Sequence, residues 1–296
     1  MKVRALFYAL ILTFALPHFA LAQRNFDDVQ IEATQVADNI YMLTGSGGNI
    51  GVIIGDDDTF IIDDQFAPLT EKIIAAIAEL TDNPVKFVLN THWHGDHTGG
   101  NENFGKAGAL IVAHDNVRER MSAKQLADAI DNADASKALP VVTFAEDVTF
   151  HLNGETIHAF HVDEAHTDGD TIIHFKKANV FHMGDTFFSG RFPYIDLDSG
   201  GGIDGMISSA NKVLSLSNDD TKIIPGHGPL STPADLKEYR DVMMKVRAKI
   251  MFMVTEDKTL EEVIASNPTE GYESWGTGFI NSERFITIIY NDLSNN

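Results

Sequence analysis

The sequence predicts an α/β fold (α+β by some schemes) in four layers, an αββα sandwich of two mixed β-sheets flanked by helices. Three observations carry that expectation. Short β-branched and apolar runs alternate with stretches of helical periodicity, so sheets and helices share one core. The order of strands followed by helices occurs twice, once in each half of the chain. Clusters of polar, chemistry-bearing residues fall directly after strand-like runs, where a rigid scaffold presents a site.

Residues 1–22 stand apart from the fold. Lys2 and Arg4 precede an apolar run from Ala5 to Leu16, and Ala20-Leu21-Ala22 fits a small-x-small cleavage site. The expectation is a secretory signal peptide cut between Ala22 and Gln23. The run is shorter than the ~20 apolar residues of a membrane span, which argues against an anchor. The chain contains no cysteine, so disulfides, thiolate metal ligands and cysteine lipidation are excluded. Together these features point to a bacterial periplasm or exterior. Residues 23–296 suffice for one large domain or two small ones; one domain is expected, with a C-terminal helical extension from about residue 232.

In the first half, Val29-Gln30-Ile31, Ile40–Leu43, Ile50–Ile54 and Phe60–Ile62 read as short antiparallel strands divided by Gly-rich and Asp-rich turns. Pro68 to Leu80 carries Ile73, Ile74, Ile77 and Leu80 at helical spacing, with Thr70 as the cap. Val85–Asn90 reads as a buried strand and Gly108–Ala113 as another, followed by an interrupted helix from Asp115 to about Ile130. The polar patch from Asp131 to Lys137, running to Pro140, is the candidate mid-chain junction. In the second half, Asn153-Gly154 marks a hairpin between Val148–Leu152 and Thr156–Val162. Thr171–Phe175, Val180–Met183 and Lys222–Ile224 read as strands, and Ile203–Leu216 as helix. From Thr232, with Pro233 in the first turn, Leu236, Tyr239, Val242, Met243, Val246 and Ile250 form one apolar stripe. Met243, Met244, Met251 and Met253 read as packing residues rather than a metal box. Lys258–Ala265 and Phe279–Leu293 supply two further helical stretches.

The chemistry concentrates in Thr91–Asn101, which reads Thr-His-Trp-His-Gly-Asp-His-Thr-Gly-Gly-Asn. His92, His94, Asp96 and His97 lie within six positions, at the carboxyl end of a predicted strand. In an extended segment alternate side chains share a face, so His92 and His94 can grip one ion. Asp96 and His97 follow a bend beside Gly95 and can point toward a second. Histidines that merely hydrogen-bond in a core or decorate a loop do not usually arrive at this spacing.

His92-Trp93-His94-Gly95-Asp96-His97 resembles the His-x-His-x-Asp-His signature of the metallo-β-lactamase superfamily, and His166, Asp185 and His227 follow in that superfamily's order. The resemblance covers nearly all of residues 23–296 and implies the metallo-β-lactamase fold. It implies that His92, His94 and His166 bind one zinc ion and Asp96, His97 and His227 another, with Asp185 as the bridging carboxylate of the glyoxalase II branch. It also implies that Asp63 or Asp64 supports a metal-binding histidine. Such ion pairs sit ~3.5–4 Å apart and turn a shared water into hydroxide near neutral pH. The resemblance thus implies an exported binuclear zinc hydrolase in which a metal-bridging hydroxide cleaves a small ester, thioester, lactone or cyclic amide, with iron or manganese as substitute metals. Asp96 and His227 are the candidate catalytic residues, Asp96 as ligand and orienter rather than free base.

Asp185 departs from the cysteine or serine of dedicated β-lactamases, which argues against that activity, although an exported location suits it. Two further alternatives remain open, a mononuclear iron persulfide dioxygenase and a non-catalytic zinc-binding protein. A formal net charge of −21, more acidic still without Lys2 and Arg4, repels phosphate backbones and argues against nucleic acid. The expected partner is a small molecule, with no membrane anchor after signal cleavage. Phe187, Phe188, Phe192 and Tyr194 follow Asp185 and are candidates to wall a pocket or pack in the core. Arg191 is a candidate for a substrate carboxylate or a plain surface residue, and Gly184, Gly200, Gly201 and Gly202 for backbone geometry. The remaining histidines of the expected domain, His114, His151, His158, His161, His174 and His182, read as structural or surface residues.

Overall fold

The computed structural model describes residues 25–128 and 135–294. The expected leader, residues 1–22, and most of the expected junction from Asp131 lie outside them. Among the described residues no helix is long and apolar enough to cross a membrane.

The first half begins with four strands, β1 (Glu32–Ala37), β2 (Ile40–Thr44), β3 (Ile50–Ile53) and β4 (Thr59–Ile62). Helix α1 (Thr70–Ala78) leads to β5 (Val85–Leu89), and two short helices follow, α2 (Gly95–Thr98) and α3 (Asn101–Lys106). Strand β6 (Leu110–His114), helix α4 (Asp115–Asp128) and strand β7 (Val142–Phe144) complete it. These strands form a seven-stranded sheet in sequence order, antiparallel from β1 to β4 and parallel from β4 to β7. The second half contributes β8 (Asp147–Leu152), β9 (Glu155–His161), β10 (Thr171–Phe175), β11 (Val180–His182), helix α5 (Ile203–Leu216) and β12 (Lys222–Ile224). They form a five-stranded sheet ordered β12-β11-β10-β9-β8, parallel only between β11 and β12. Helices α6 (Pro233–Thr255), α7 (Leu260–Ala265) and α8 (Ser282–Ser294) close the chain.

Three apolar layers hold the sandwich together. Between the sheets, Ile53, Phe60 and Leu89 of the first meet Ile157, Ile173 and Phe175 of the second. Outside the first sheet, Ile61 and Val88 pack on Ile73 and Ile77 of α1 and Phe104 of α3. Outside the second, Phe181 and Ile223 pack on Met206 of α5, Tyr239 and Met243 of α6 and Phe285 of α8. Each sheet therefore buries both faces, which gives the αββα order read from the sequence. The stripe from Leu236 to Ile250 is fully inside, and Thr232 caps α6 in a reciprocal box with Asp235. Asn153 and Gly154, at φ 53° and 73°, form the left-handed pair that a two-residue hairpin requires.

Several local expectations are corrected. The first strand is not Val29–Ile31 but Glu32–Ala37, an edge strand whose first four residues are exposed, held by its backbone ladder to β2 rather than by apolar pattern. Strand β7 carries no sequence signal because two of its three residues are exposed at the opposite edge. Thr70 does not cap α1; its hydroxyl donates back to Ala67 O inside a single 3₁₀ turn begun at Ala67-Pro68. Met244 is 47% exposed and contributes little to the core.

Candidate metal centre

The site lies along one edge of the sandwich, where strands of both sheets end. After β5 the chain leaves the first sheet through Asn90, whose side-chain amide pairs reciprocally with that of Asn101 at 3.1 and 2.8 Å. His92 and His94 then extend side by side. The single turn of α2 follows, in which the N–H groups of His97 and Thr98 both donate to His94 O, turning Asp96 and His97 to a different face. From the second half, His166 sits on the turn after β9, Asp185 in a 3₁₀ turn after β11 and His227 after β12. Two approaches are so close that only glycine fits: a Cβ on Gly48 would lie 2.1 Å from the His97 ring, and one on Gly226 2.1 Å from Asp185 Oδ1.

All seven sequence-predicted positions converge, in two groups. His92, His94, His166 and Asp185 form one, and Asp96, His97 and His227 the other, the donor atoms within each lying within 4.8 Å of one another. Asp185 spans them. Its Oδ1 is 3.1 Å from His97 Nε2 and 3.3 Å from His227 Nε2, while its Oδ2 is 3.6 Å from His166 Nε2 and 3.8 Å from His92 Nε2. Asp96 Oδ2 lies 3.5 Å from His227 Nε2.

For the neutral rings of His92, His94, His97 and His166, a hydrogen bond on the far side leaves the nitrogen that faces the site bare. His97 Nδ1 donates to Asp63 Oδ2 at 2.7 Å, and His94 Nε2 to Asp196 Oδ2 at 2.9 Å. His166 Nδ1 donates to Tyr194 O at 2.8 Å, and His92 Nδ1 to Thr91 Oγ1, which passes its own proton to Asp63. With those tautomers, the facing nitrogens of His94 (Nδ1) and His166 (Nε2) are both lone pairs, only 2.8 Å apart. Two acceptors at that distance repel unless a cation lies between them. His92 Nε2, His97 Nε2 and Asp185 Oδ1 are likewise buried with no hydrogen-bond partner. Buried polar atoms without partners are costly, so this donor set fits divalent cations.

The charges agree. Burial, with the neighbouring His97, holds His92 well below the usual imidazole range, and burial lowers His166 to about 4. Both are neutral, as a ligand must be. Burial alone would raise Asp185, but His227 and His97 pull it well below the usual carboxylate range. For His97 burial lowers the pKa, but Asp185, Asp63 and Asp96 raise it well above the usual imidazole range, so a metal at Nε2 would have to displace a proton.

Asp63, rather than Asp64, supports a histidine. It also accepts from the Thr91 N–H at 2.7 Å and the Thr91 hydroxyl at 2.8 Å. Asp64 instead accepts from the Gly100 N–H, and burial raises its pKa well above the carboxylate range. Sequence reasoning missed Asp196, which no spacing rule marks, and Asp170, which gathers the His166 and Thr167 N–H groups and fixes the His166 turn. It also missed the role of Phe188, whose ring stacks on His227 at 5.2 Å and 17°. His227 Nδ1 has no hydrogen-bond partner among the described residues, so this stack orients the ring. Phe188→Ala is therefore expected to weaken metal binding at the Asp96/His97/His227 group by roughly tenfold while sparing the other. Stepwise metal titration reads this, and equal weakening of both groups would refute it.

Phe187 packs on Tyr239 in the core, while Phe188, Phe192 and Tyr194 line a cleft of about 600 Å³ above the two groups. Phe279 and Ile280, read from sequence only as part of a helix, line it too. The six other histidines all lie in strands. His114 and His161, assigned no histidine partner, stack at 3.9 Å, yet each donates a ring N–H to a backbone carbonyl, and they form no ligand set. A separate groove of about 440 Å³ beside Phe252 holds no cluster of this kind.

Comparison with known proteins agrees with this arrangement. The metallo-beta-lactamase superfamily profile matches residues 43–227. Hydroxyacylglutathione hydrolase GloC of Haemophilus influenzae is 30% identical over 175 residues, 55% of this chain and 77% of its own length. Lactamase-like protein aptB of Emericella nidulans is 25% identical over 206 residues, 65% of this chain but only 59% of that protein. A solved metallo-beta-lactamase from Pontibacter korlensis superposes with a TM-score of 0.61 at 18% identity, over 73% of this chain and 99% of that one, which speaks to fold alone.

Proposed function

The chain belongs to the metallo-β-lactamase superfamily, and on that premise we propose that it is an exported, binuclear zinc-dependent hydrolase of a small ester, thioester, lactone or cyclic amide. Hydrolase of this superfamily is the general class; metal identity and number, export and substrate are the proposal. The observation that carries it is the pair of bare nitrogens of His94 and His166 at 2.8 Å, beside a carboxylate whose two oxygens face two separate groups. His92, His94 and His166 would hold one ion, and Asp96, His97 and His227 the other, with Asp185 between. When bound, such ions polarise a carbonyl and make water acidic enough to attack it near neutral pH.

The chain's own residues do the rest. Asp185 offsets the repulsion of two dications. Asp63, Asp196, Thr91 and Tyr194 lock the ring tautomers so that no ligand has to reorient as charge develops. Asp96, whose Oδ2 lies 3.5 Å from His227 Nε2 and which is partly exposed to the cleft, is placed as ligand and orienter rather than free base. The aromatic walls lower the polarity beside the ligand groups, which strengthens the charges there.

Aspartate at 185, where dedicated β-lactamases have cysteine or serine, keeps β-lactams behind thioesters and lactones in the order of substrates. Export to a bacterial periplasm rests on the leader-like residues 1–22, and a small-molecule partner on the cleft and acidic composition. Metal analysis followed by a panel of lactam, lactone and thioester substrates tests the reading. Expected are about two zinc ions per chain and turnover that chelation abolishes. His94→Ala should remove turnover and lower metal content. A single iron with oxygen consumption and no hydrolysis would overturn the proposal, as would full activity of His94→Ala.

A further inference from the structure

Resting on the hydrolase reading, we propose that the substrate carries a carboxylate, paired with Arg191 at the cleft rim, and an apolar group laid against Phe279 of the C-terminal segment. Two unused features of the cleft lead there. The first is charge. Among the described residues Arg118 donates to Pro140 O, Arg120 grips Asp168, Arg240 grips Asp241, Arg247 grips Asp204, and Arg284 lies over aromatic rings. Arg191 is exposed and, among the described residues, makes neither a hydrogen bond nor an ion pair, in a chain of 43 acidic and 22 basic residues. It lines the cleft, and it carries the only fixed positive charge among the described lining side chains. A free guanidinium at the mouth of a pocket offers a carboxylate two parallel hydrogen bonds. One such cation matches one negative charge, and the strongly acidic surroundings make its placement a selective device rather than general attraction.

The second feature is an exposed ring held in place. Phe279 lies beyond residues 43–227, the part shared with the family, and is 74% exposed on the cleft wall. An exposed phenylalanine would ordinarily be mobile. Here the Arg284 guanidinium sits 4.4 Å over its ring and 5.5 Å over that of Tyr194, and the two rings meet edge to face at 6.2 Å. The segment leading to it is pinned by Trp275, whose carbonyl accepts from the Phe192 N–H and whose ring stacks on Tyr239. The wall is thus preorganised for an apolar group, and it is supplied by this chain's own extension. A cleft of about 600 Å³, lined by both Arg191 and Phe279, has room for a carbonyl at the metal groups together with an apolar arm and a charged arm.

The test uses the zinc-loaded full chain with S-phenylacetyl-thioglycolate, its glycolamide twin and S-acetyl-thioglycolate. Wild type should prefer the acid to the amide and phenylacetyl to acetyl, in KM. Arg191→Gln should cut the acid-to-amide preference roughly tenfold, and Arg191→Lys less, because a point charge replaces the fork. Phe279→Ala should cut the phenylacetyl-to-acetyl preference by roughly tenfold, again in KM rather than kcat. Unchanged ratios in either variant, or Arg191→Gln losses that appear equally in acid and amide, overturn the inference and leave the hydrolase reading intact. So does a wild type that cleaves uncharged esters or lactones but not the acid. A wild type that cleaves no carbonyl substrate in either set overturns both.

Discussion

Asp185→Asn is expected to remove most bound metal and turnover while leaving the fold in place. The carboxylate is the one side chain that faces both ligand groups, Oδ1 toward His97 and His227 and Oδ2 toward His92 and His166. Asparagine keeps the shape but replaces one oxygen by an NH₂ group that has no lone pair to give. It also removes the negative charge that would offset the repulsion of two bound dications. The loss should exceed the ~10–100-fold that removing an outer-sphere partner costs. Metal content after dialysis, turnover and the melting profile in chelator would be measured together. Wild-type stoichiometry and rate in this variant would show that Asp185 bridges nothing.

The second large effect is expected at a residue that touches no ion. Asp63 is fully buried, at φ 62°, and accepts from the Thr91 N–H, the Thr91 hydroxyl and His97 Nδ1. Asp63→Ala leaves those donors buried and unpaired, a cost on the order of 3–5 kcal/mol and a melting temperature lower by about 10 °C. Asp63→Asn separates positioning from stability. Its carbonyl can still accept from the Thr91 N–H, but its NH₂ then faces His97 Nδ1 and forces that nitrogen to become an acceptor. His97 must carry its proton on Nε2, where the metal would bind. The expected result is a protein that melts near wild type yet loses metal at the Asp96/His97/His227 group. Histidine NMR would show the tautomer change. Metal binding equal to wild type in Asp63→Asn would refute the argument.

The parts of the molecule legible in the sequence share a property: their signal is local. His92, His94, Asp96 and His97 are adjacent, so their spacing alone identifies them as donors, and Asn153-Gly154 announces its hairpin through two left-handed residues. The stripe from Leu236 to Ile250 shows its helix by period. Edge strands were misplaced or missed, because β1 and β7 are held by backbone ladders while their side chains face water. Asp196 was missed because 102 residues separate it from the His94 ring it holds. Phe188 and Phe187 are neighbours of one residue type, and only the alternation of the chain in space sends one to His227 and the other to Tyr239.

By itself the sequence determined the four-layer architecture and the side chains available as donors, since apolar period and ligand spacing are written along the chain. Tertiary structure alone decided which nitrogens of His92, His94, His97 and His166 face the site, which of Asp63 and Asp64 holds His97, and that Phe279 and Arg191 line one cleft. Those outcomes depend on hydrogen-bond partners and ring stacking between segments far apart in the chain, and such contacts leave no periodic trace in the order of residues.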